Sequence, residues 1–264
     1  VTVGQGLFLG AIQGLTEFLP ISSSGHLVIF QQLLGLTEPV LTFDVFIHMG
    51  TLLAILIFFG RSLFKVTFRE WVLVAIGTVP AAAVGILFKD QIAAMFSSGR
   101  TVGLELIVSG CINFYTDRKL NPRKPGKDNS SKLEGNQTTE QLTPLKSIGI
   151  GIAQAIAIIP GISRSGSTVA GAVAFGLKRE EAFRFSFLLA IPALLGAGVL
   201  EAKDVLSADS LSIEVAPYLA GVIAAFGFGL ASLALFRYVI NKAKLEWFGW
   251  YCVILGVIAL VFIR

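Results

Sequence analysis

Long apolar runs alternate with short polar stretches along this chain, and six of the runs predict membrane-spanning helices: residues 41–60, 71–88, 101–116, 183–200, 215–236 and 246–263. Each is roughly 16 to 22 residues, near the length that crosses a hydrocarbon layer of about 30 Å. Two further apolar segments, 4–36 and 147–177, behave differently: each is interrupted at its centre by proline, glycine and a cluster of hydroxyls. Proline removes a helical hydrogen bond and clashes with the preceding turn, so neither segment continues as one helix. Backbone broken at membrane depth must be buried in protein or face a water-filled cavity.

Composition agrees with the pattern. Of 264 residues, 54% are hydrophobic and only 14% charged, against about a quarter charged in ordinary soluble domains. With a mean hydropathy of +0.77 there is too little charge to cover a soluble surface, and the expected fold is an all-α polytopic membrane protein. The two cysteines, Cys111 and Cys252, lie in apolar runs without metal-binding spacing. Residues 1–20 have no basic start, and Gln13 and Glu17 interrupt the apolar stretch, so no cleavable signal peptide is expected.

Charge then orients the spans. Arg61, Lys65 and Arg69 follow the first span, Arg237, Lys242 and Lys244 follow the fifth, and the stretch 117–146 holds seven basic residues. Basic loops stay in the cytoplasm, so all three are assigned there, and the acidic loop 201–214 outside. Residues 117–146, rich in Asn, Ser, Gly, Gln and Thr, read as a flexible cytoplasmic linker between two halves, 1–116 and 147–264. Its basic excess is a topology signal, and no nucleic-acid partner is expected. With these assignments each broken segment must enter the membrane and return on the same side, the first from outside and the second from the cytoplasm.

The halves also match each other. With an offset of 141, QGLTEFLPISSSGHLV (13–28) aligns with QAIAIIPGISRSGSTV (154–169) at six identities in sixteen. The architecture expected is six transmembrane helices plus two re-entrant helix pairs in an inverted-topology repeat. Such repeats bind their substrates where the broken helices meet.

The chemistry-bearing residues lie at those breaks. Gln13 and Glu17 are four apart, on one face of a helix leading into Pro20. An ionisable group inside an apolar segment needs a partner or a function. His26, one of two histidines, follows the Ser22-Ser23-Ser24-Gly25 run; an imidazole there could act as nucleophile, base or acid. His48 sits inside the first span without such neighbours and reads as structural or cavity-lining. Arg164, in PGISRSGST (160–168), stands opposite Ser23 in the repeat, and its planar fork suits a phosphate. Amides freed at each helix start add anion donors. Together these define a polyanion pocket inside an apolar body, suited to a phosphorylated or pyrophosphorylated lipid, with hydrolysis and transport both open.

The stretches QGLTEFLPISSSGH and PGISRSGST, with FSFLLAIP (185–192), closely resemble the paired signatures of the bacterial undecaprenyl-diphosphate phosphatases, also called bacitracin-resistance proteins. The resemblance implies hydrolysis of undecaprenyl diphosphate to undecaprenyl phosphate and inorganic phosphate, recycling the cell-wall lipid carrier. It implies Glu17 as the essential acid, Ser23 and His26 as candidate nucleophiles, and Arg164 as the grip on the diphosphate. Ser22, Ser24 and Gly25, with Gln154, Ser163, Ser165, Gly166 and Thr168, are the expected substrate-binding set. The family is associated with a divalent cation, magnesium or calcium, near Gln13 and Glu17; Gln13 stands where many relatives have Glu, which removes one charge from that site. The implied location is the plasma (inner) membrane with the site open to the periplasm or outside. The expected partners are membrane lipids and the polyprenyl substrate, and a homodimer is left open. A polyprenyl-phosphate flippase is the competing reading. The membrane acid phosphatases, which share a Ser-Gly-His, need a later histidine, and none follows His48.

Overall fold

A computed structural model of the chain describes residues 1–36, 40–96, 99–121, 141–207, 214–242 and 244–263. All regular elements among them are helical: α1 (Val3–Glu17), α2 (Ser23–Leu33), α3 (Leu41–Phe59), α4 (Phe68–Leu87), α5 (Lys89–Phe96), α6 (Gly99–Leu120), α7 (Pro144–Ile156), α8 (Arg164–Ala174), α9 (Arg179–Ser207), α10 (Val215–Lys242) and α11 (Glu246–Phe262). A 3-10 turn, Gly60–Lys65, follows α3.

Four stretches are long and apolar enough to cross a membrane: Thr42–Lys65, Phe68–Leu87, Arg179–Leu200 and Val215–Ile240. The protein is a membrane protein. Two of the six predicted spans fall outside that group. Glu246–Phe262 is apolar but shorter, and α6, over the predicted span 101–116, carries Arg100, Glu105, Asp117, Arg118 and Lys119 within its 22 residues.

Helix ends also differ from those predicted. α6 runs to Leu120 and α7 starts at Pro144, so both ends of the predicted linker are helical; its middle, 122–140, lies outside the described residues. The extension of α6 has a physical cause. Arg179, at the start of α9, donates to Leu120 O and Asn121 Oδ1 at 2.6 Å and to Ile240 O at 3.2 Å, satisfying carbonyls that the last turns of α6 and α10 leave open. At the same end of the bundle Arg69 donates to Leu142 O at 3.1 Å and Arg184 pairs with Glu70 at 2.6 Å.

The broken segments fold as short helix pairs. α1 and α2 are 15 and 11 residues, α7 and α8 are 13 and 11, so none exceeds about 23 Å and none crosses a bilayer core alone. The offset of 141 maps Ser23–Leu33 onto Arg164–Ala174 residue for residue. Close backbone approach seats α1 on α10. Gly6, Gly10 and Gly14 form one stripe, and a Cβ at each would meet the Pro217, Gly221 or Ala225 carbonyl oxygen at 2.4, 2.2 and 2.6 Å, the small-residue packing by which apolar helices associate. α7 sits similarly on α4, where a Cβ at Gly151 would meet Gly77 O at 2.1 Å. Phe18, directly after α1, is fully buried and packs on Phe187 of α9, ring centroids 5.5 Å apart.

Candidate functional site: two helix tips around one carboxylate

The two breaks meet face to face. Ser22 caps α2, its Oγ accepting from Gly25 N at 3.3 Å, and Ser163 caps α8 in the same way from Gly166 N at 3.1 Å. Serine is a preferred cap because its oxygen takes one of the amides that a helix start leaves unpaired. The tips then hold each other: Ser165 Oγ donates to Leu19 O at 3.0 Å and Gly161 N to Ser24 Oγ at 3.3 Å. α6 braces both, through Ser109, which donates to Gly161 O at 2.8 Å and accepts from Ser163 N at 2.8 Å, and Asn113, which donates to Pro20 O at 2.6 Å. The backbone groups released by each break thus find partners within the protein, as burial at membrane depth requires.

Glu17 is the junction. Arg164 of the second tip pairs with its Oε1. Its Oε2 accepts from Ser23 Oγ at 2.5 Å and from Gln13 Nε2 at 3.0 Å, with His48 Nε2 at 3.6 Å. His48 Nδ1 donates to the Asp44 carbonyl at 2.6 Å, which fixes the ring and leaves Nε2 towards Glu17.

A cavity of about 730 Å³ opens on this junction, and its polar lining includes Glu17, Ser22, Ser23, Ser24, Asp44, His48, Lys89, Gln154, Ser163 and Arg164. Ala81, Ile86, Leu195 and Leu200 contribute to a largely apolar remainder. Several polar atoms here are buried without a hydrogen bond: Arg164 Nη1, both amide atoms of Gln154 and Gln13 Oε1. An unsatisfied amide in an apolar setting costs on the order of 2 kcal/mol or more, so this concentration marks a place built for a polar ligand.

Sequence neighbours part company in space. His26 is 2% exposed and does not line the cavity; its Nδ1 donates to Ser22 O at 2.6 Å and its Nε2 meets the Tyr251 hydroxyl at 2.7 Å. Among the expected substrate-binding residues, Gly25, Ser165, Gly166 and Thr168 are likewise absent from the lining. Gly25 and Gly166 donate cap hydrogen bonds, and Thr168 is buried against Ser186 of α9 at 2.5 Å. His48, read from the sequence as structural or cavity-lining, does line the cavity, and Asp44 is the residue that sequence reasoning missed: the two are four apart on α3, both line the cavity, and Asp44 Oδ1 accepts from Gln31 at 2.7 Å. Their spacing on one face of an otherwise apolar helix was the available signal.

A membrane-embedded helical bundle with a carboxylate, an arginine and a serine converging on one largely apolar cavity defines an integral membrane protein with a candidate phosphate-chemistry site. The model of the family described as bacitracin resistance protein BacA matches residues 6–258, and the chain belongs to that family. It is 43% identical over 97% of its length, and 96% of the relative's, to an undecaprenyl-diphosphatase of Carboxydothermus hydrogenoformans. It is 39% identical, over the same shares, to one from Halothermothrix orenii and 38% identical to one from Methanosphaera stadtmanae.

Proposed function

We propose that this protein is an undecaprenyl-diphosphate phosphatase, releasing inorganic phosphate and leaving undecaprenyl phosphate for reuse as the cell-wall lipid carrier. The observation that carries the reading is the Glu17 junction, where Ser23 of one tip and Arg164 of the other converge on one carboxylate beside a cavity. Its relatives' printed activity supports it.

Ser23 is the nucleophile in this reading. Its Oγ attacks the terminal phosphorus in line, the bond to the bridging oxygen breaks, and the lipid monophosphate leaves with the electron pair. Glu17, already accepting from Ser23 at 2.5 Å, takes the proton. Water then displaces phosphate from Ser23, and Glu17 returns the proton to Oγ. Arg164 Nη1 and the Gln154 amide, both without a partner, are the donors for phosphate oxygens, backed by the starts of α2 and α8. His48, 3.6 Å from Glu17, supports the carboxylate's orientation. His26, with both ring nitrogens engaged, is the weaker candidate for attack.

A divalent cation fits this chain as a shared ligand. Gln13 Oε1 is buried without a partner beside Glu17, and no group of three or more His, Cys, Asp or Glu suited to a metal occurs among the described residues. Gln13 Oε1 and the Glu17 carboxylate are the groups that would hold magnesium or calcium, and the ion would supply neutralisation of phosphate charge.

Six transmembrane helices with two re-entrant pairs in an inverted repeat form the matching architecture, in the plasma membrane with the site open to the outside. Three features support it: the short paired helices, the identical bounds of α2 and α8 under the offset of 141, and the hydrogen bonds of Arg69 and Arg179 to Leu142 and Leu120 at the two ends of the predicted linker.

The test is phosphate release from a C55 diphosphate by purified protein in detergent, with and without chelator. Release by the wild type, lost in Ser23→Ala, is expected. Lipid movement without phosphate release would instead favour a flippase.

A further inference from the structure

Ser22 is the one non-glycine residue with positive φ among the described residues, at φ +66° and ψ +97°. A non-glycine residue held there costs on the order of 1–3 kcal/mol and persists only where its surroundings enforce it. Its equivalent in the repeat, Ser163, caps α8 from an ordinary φ of −69°. The strain is therefore not required by capping. It falls on the residue immediately before Ser23, whose Oγ reaches Glu17 at 2.5 Å.

The His26 side chain reaches that residue from one turn on. His26 Nδ1 donates to the carbonyl oxygen of Ser22 itself at 2.6 Å. A carbonyl only accepts, so in the neutral ring Nε2 keeps its lone pair, and the Tyr251 hydroxyl of α11 lies on it at 2.7 Å. The two rings are parallel within 5° with centroids 5.6 Å apart. At the second tip nothing corresponds: the offset of 141 puts Ser167 opposite His26, with its Oγ buried and unpartnered, and Gly110, on α6 of the first half, opposite Tyr251.

The geometry points to a positioning relay, Tyr251 to His26 to the Ser22 carbonyl, that holds the left-handed turn from which Ser23 meets Glu17. His26 is then a positioning residue that neither attacks nor transfers a proton, and Tyr251 is a further positioning residue acting only through it. The inference rests on the proposed phosphatase reading for Ser23.

The test compares His26→Ala, His26→Asn and Tyr251→Phe, alone and combined, on purified full-length protein with a C55 diphosphate. Asparagine places an amide N–H near the position of Nδ1 but has no ring nitrogen to attack phosphorus. His26→Ala is expected to lower kcat on the order of 100-fold with KM little changed, as misplacing a reacting group does. His26→Asn should recover to within about 10-fold of wild type. Tyr251→Phe should lower kcat roughly 5-fold, as loss of one supporting hydrogen bond does, and have no effect in the His26→Asn background. The relay is overturned if His26→Asn is as inactive as His26→Ala, if acid-labile phosphate is trapped on His26, or if Tyr251→Phe acts equally in both backgrounds. Nitrogen NMR of histidine-labelled protein gives a readout independent of turnover. Tyr251→Phe must shift the His26 Nε2 resonance and leave Nδ1 protonated; an unmoved Nε2 also ends the proposal. Wild-type phosphate release, followed alongside, reports separately on the phosphatase reading.

Discussion

The first tip, Glu17 to His26, and the second, Ile158 to Ser167, share a helix–turn–helix layout and differ in turn geometry and chemistry. Both cap a short helix with serine at nearly the same distance, 3.3 and 3.1 Å, and both place two serine hydroxyls in contact, Ser22 with Ser24 at 3.2 Å and Ser163 with Ser165 at 3.3 Å. The first supplies the carboxylate and the candidate nucleophile. The second has Ile158 at the place of Glu17 and Arg164 at the place of Ser23. Two similar fold-backs thus deliver two helix starts to one point, and in the proposed reading the differences between them divide the work between proton acceptor and anion binder.

The largest expected break in that division is Arg164→Ala. Removing the guanidinium takes away both the partner of Glu17 and the donor aimed at phosphate, and kcat/KM should fall about 10³-fold or more in phosphate-release assays. Arg164→Lys should recover little of it, because an ammonium cannot serve the carboxylate and a phosphate in one planar fork. Gln154→Leu sharpens the comparison differently. Gln154 is buried with both amide atoms unpaired, so leucine should raise the thermal midpoint while raising KM roughly 10-fold; a rise in stability without a change in KM would remove Gln154 from the site. At the caps, Ser163→Ala should destabilise by about 1 kcal/mol in denaturation. Ser22→Gly should be neutral or stabilising, since glycine accepts the positive φ, yet should slow turnover by loosening Ser23. Ser167→Ala should be the smallest change, within about 0.5 kcal/mol and without effect on kcat, because its Oγ makes no hydrogen bond.

Much of this site could be read from residue order, for a physical reason. Charges and hydroxyls inside apolar runs are costly, so Glu17, Arg164 and the two serine clusters stood out, and the repeat matched them to each other. What could not be read was direction around a helix. His26 follows the serines closely, but one turn into α2 its side chain points to α11 and Tyr251 instead of the cavity. His48 is far from them in sequence, yet α3 brings it to 3.6 Å from Glu17. Nor did composition separate α6 from the spans: its Ser109 and Asn113 look like minor interruptions until the released backbone of both tips is found on them.

Arg164 and Glu17 are 147 residues apart in sequence, one in each half. In the proposed reading neither half of the newly made chain could hydrolyse the diphosphate by itself, because Glu17 has no guanidinium until the second tip docks. The ion pair would then also report that both tips have been inserted and brought together.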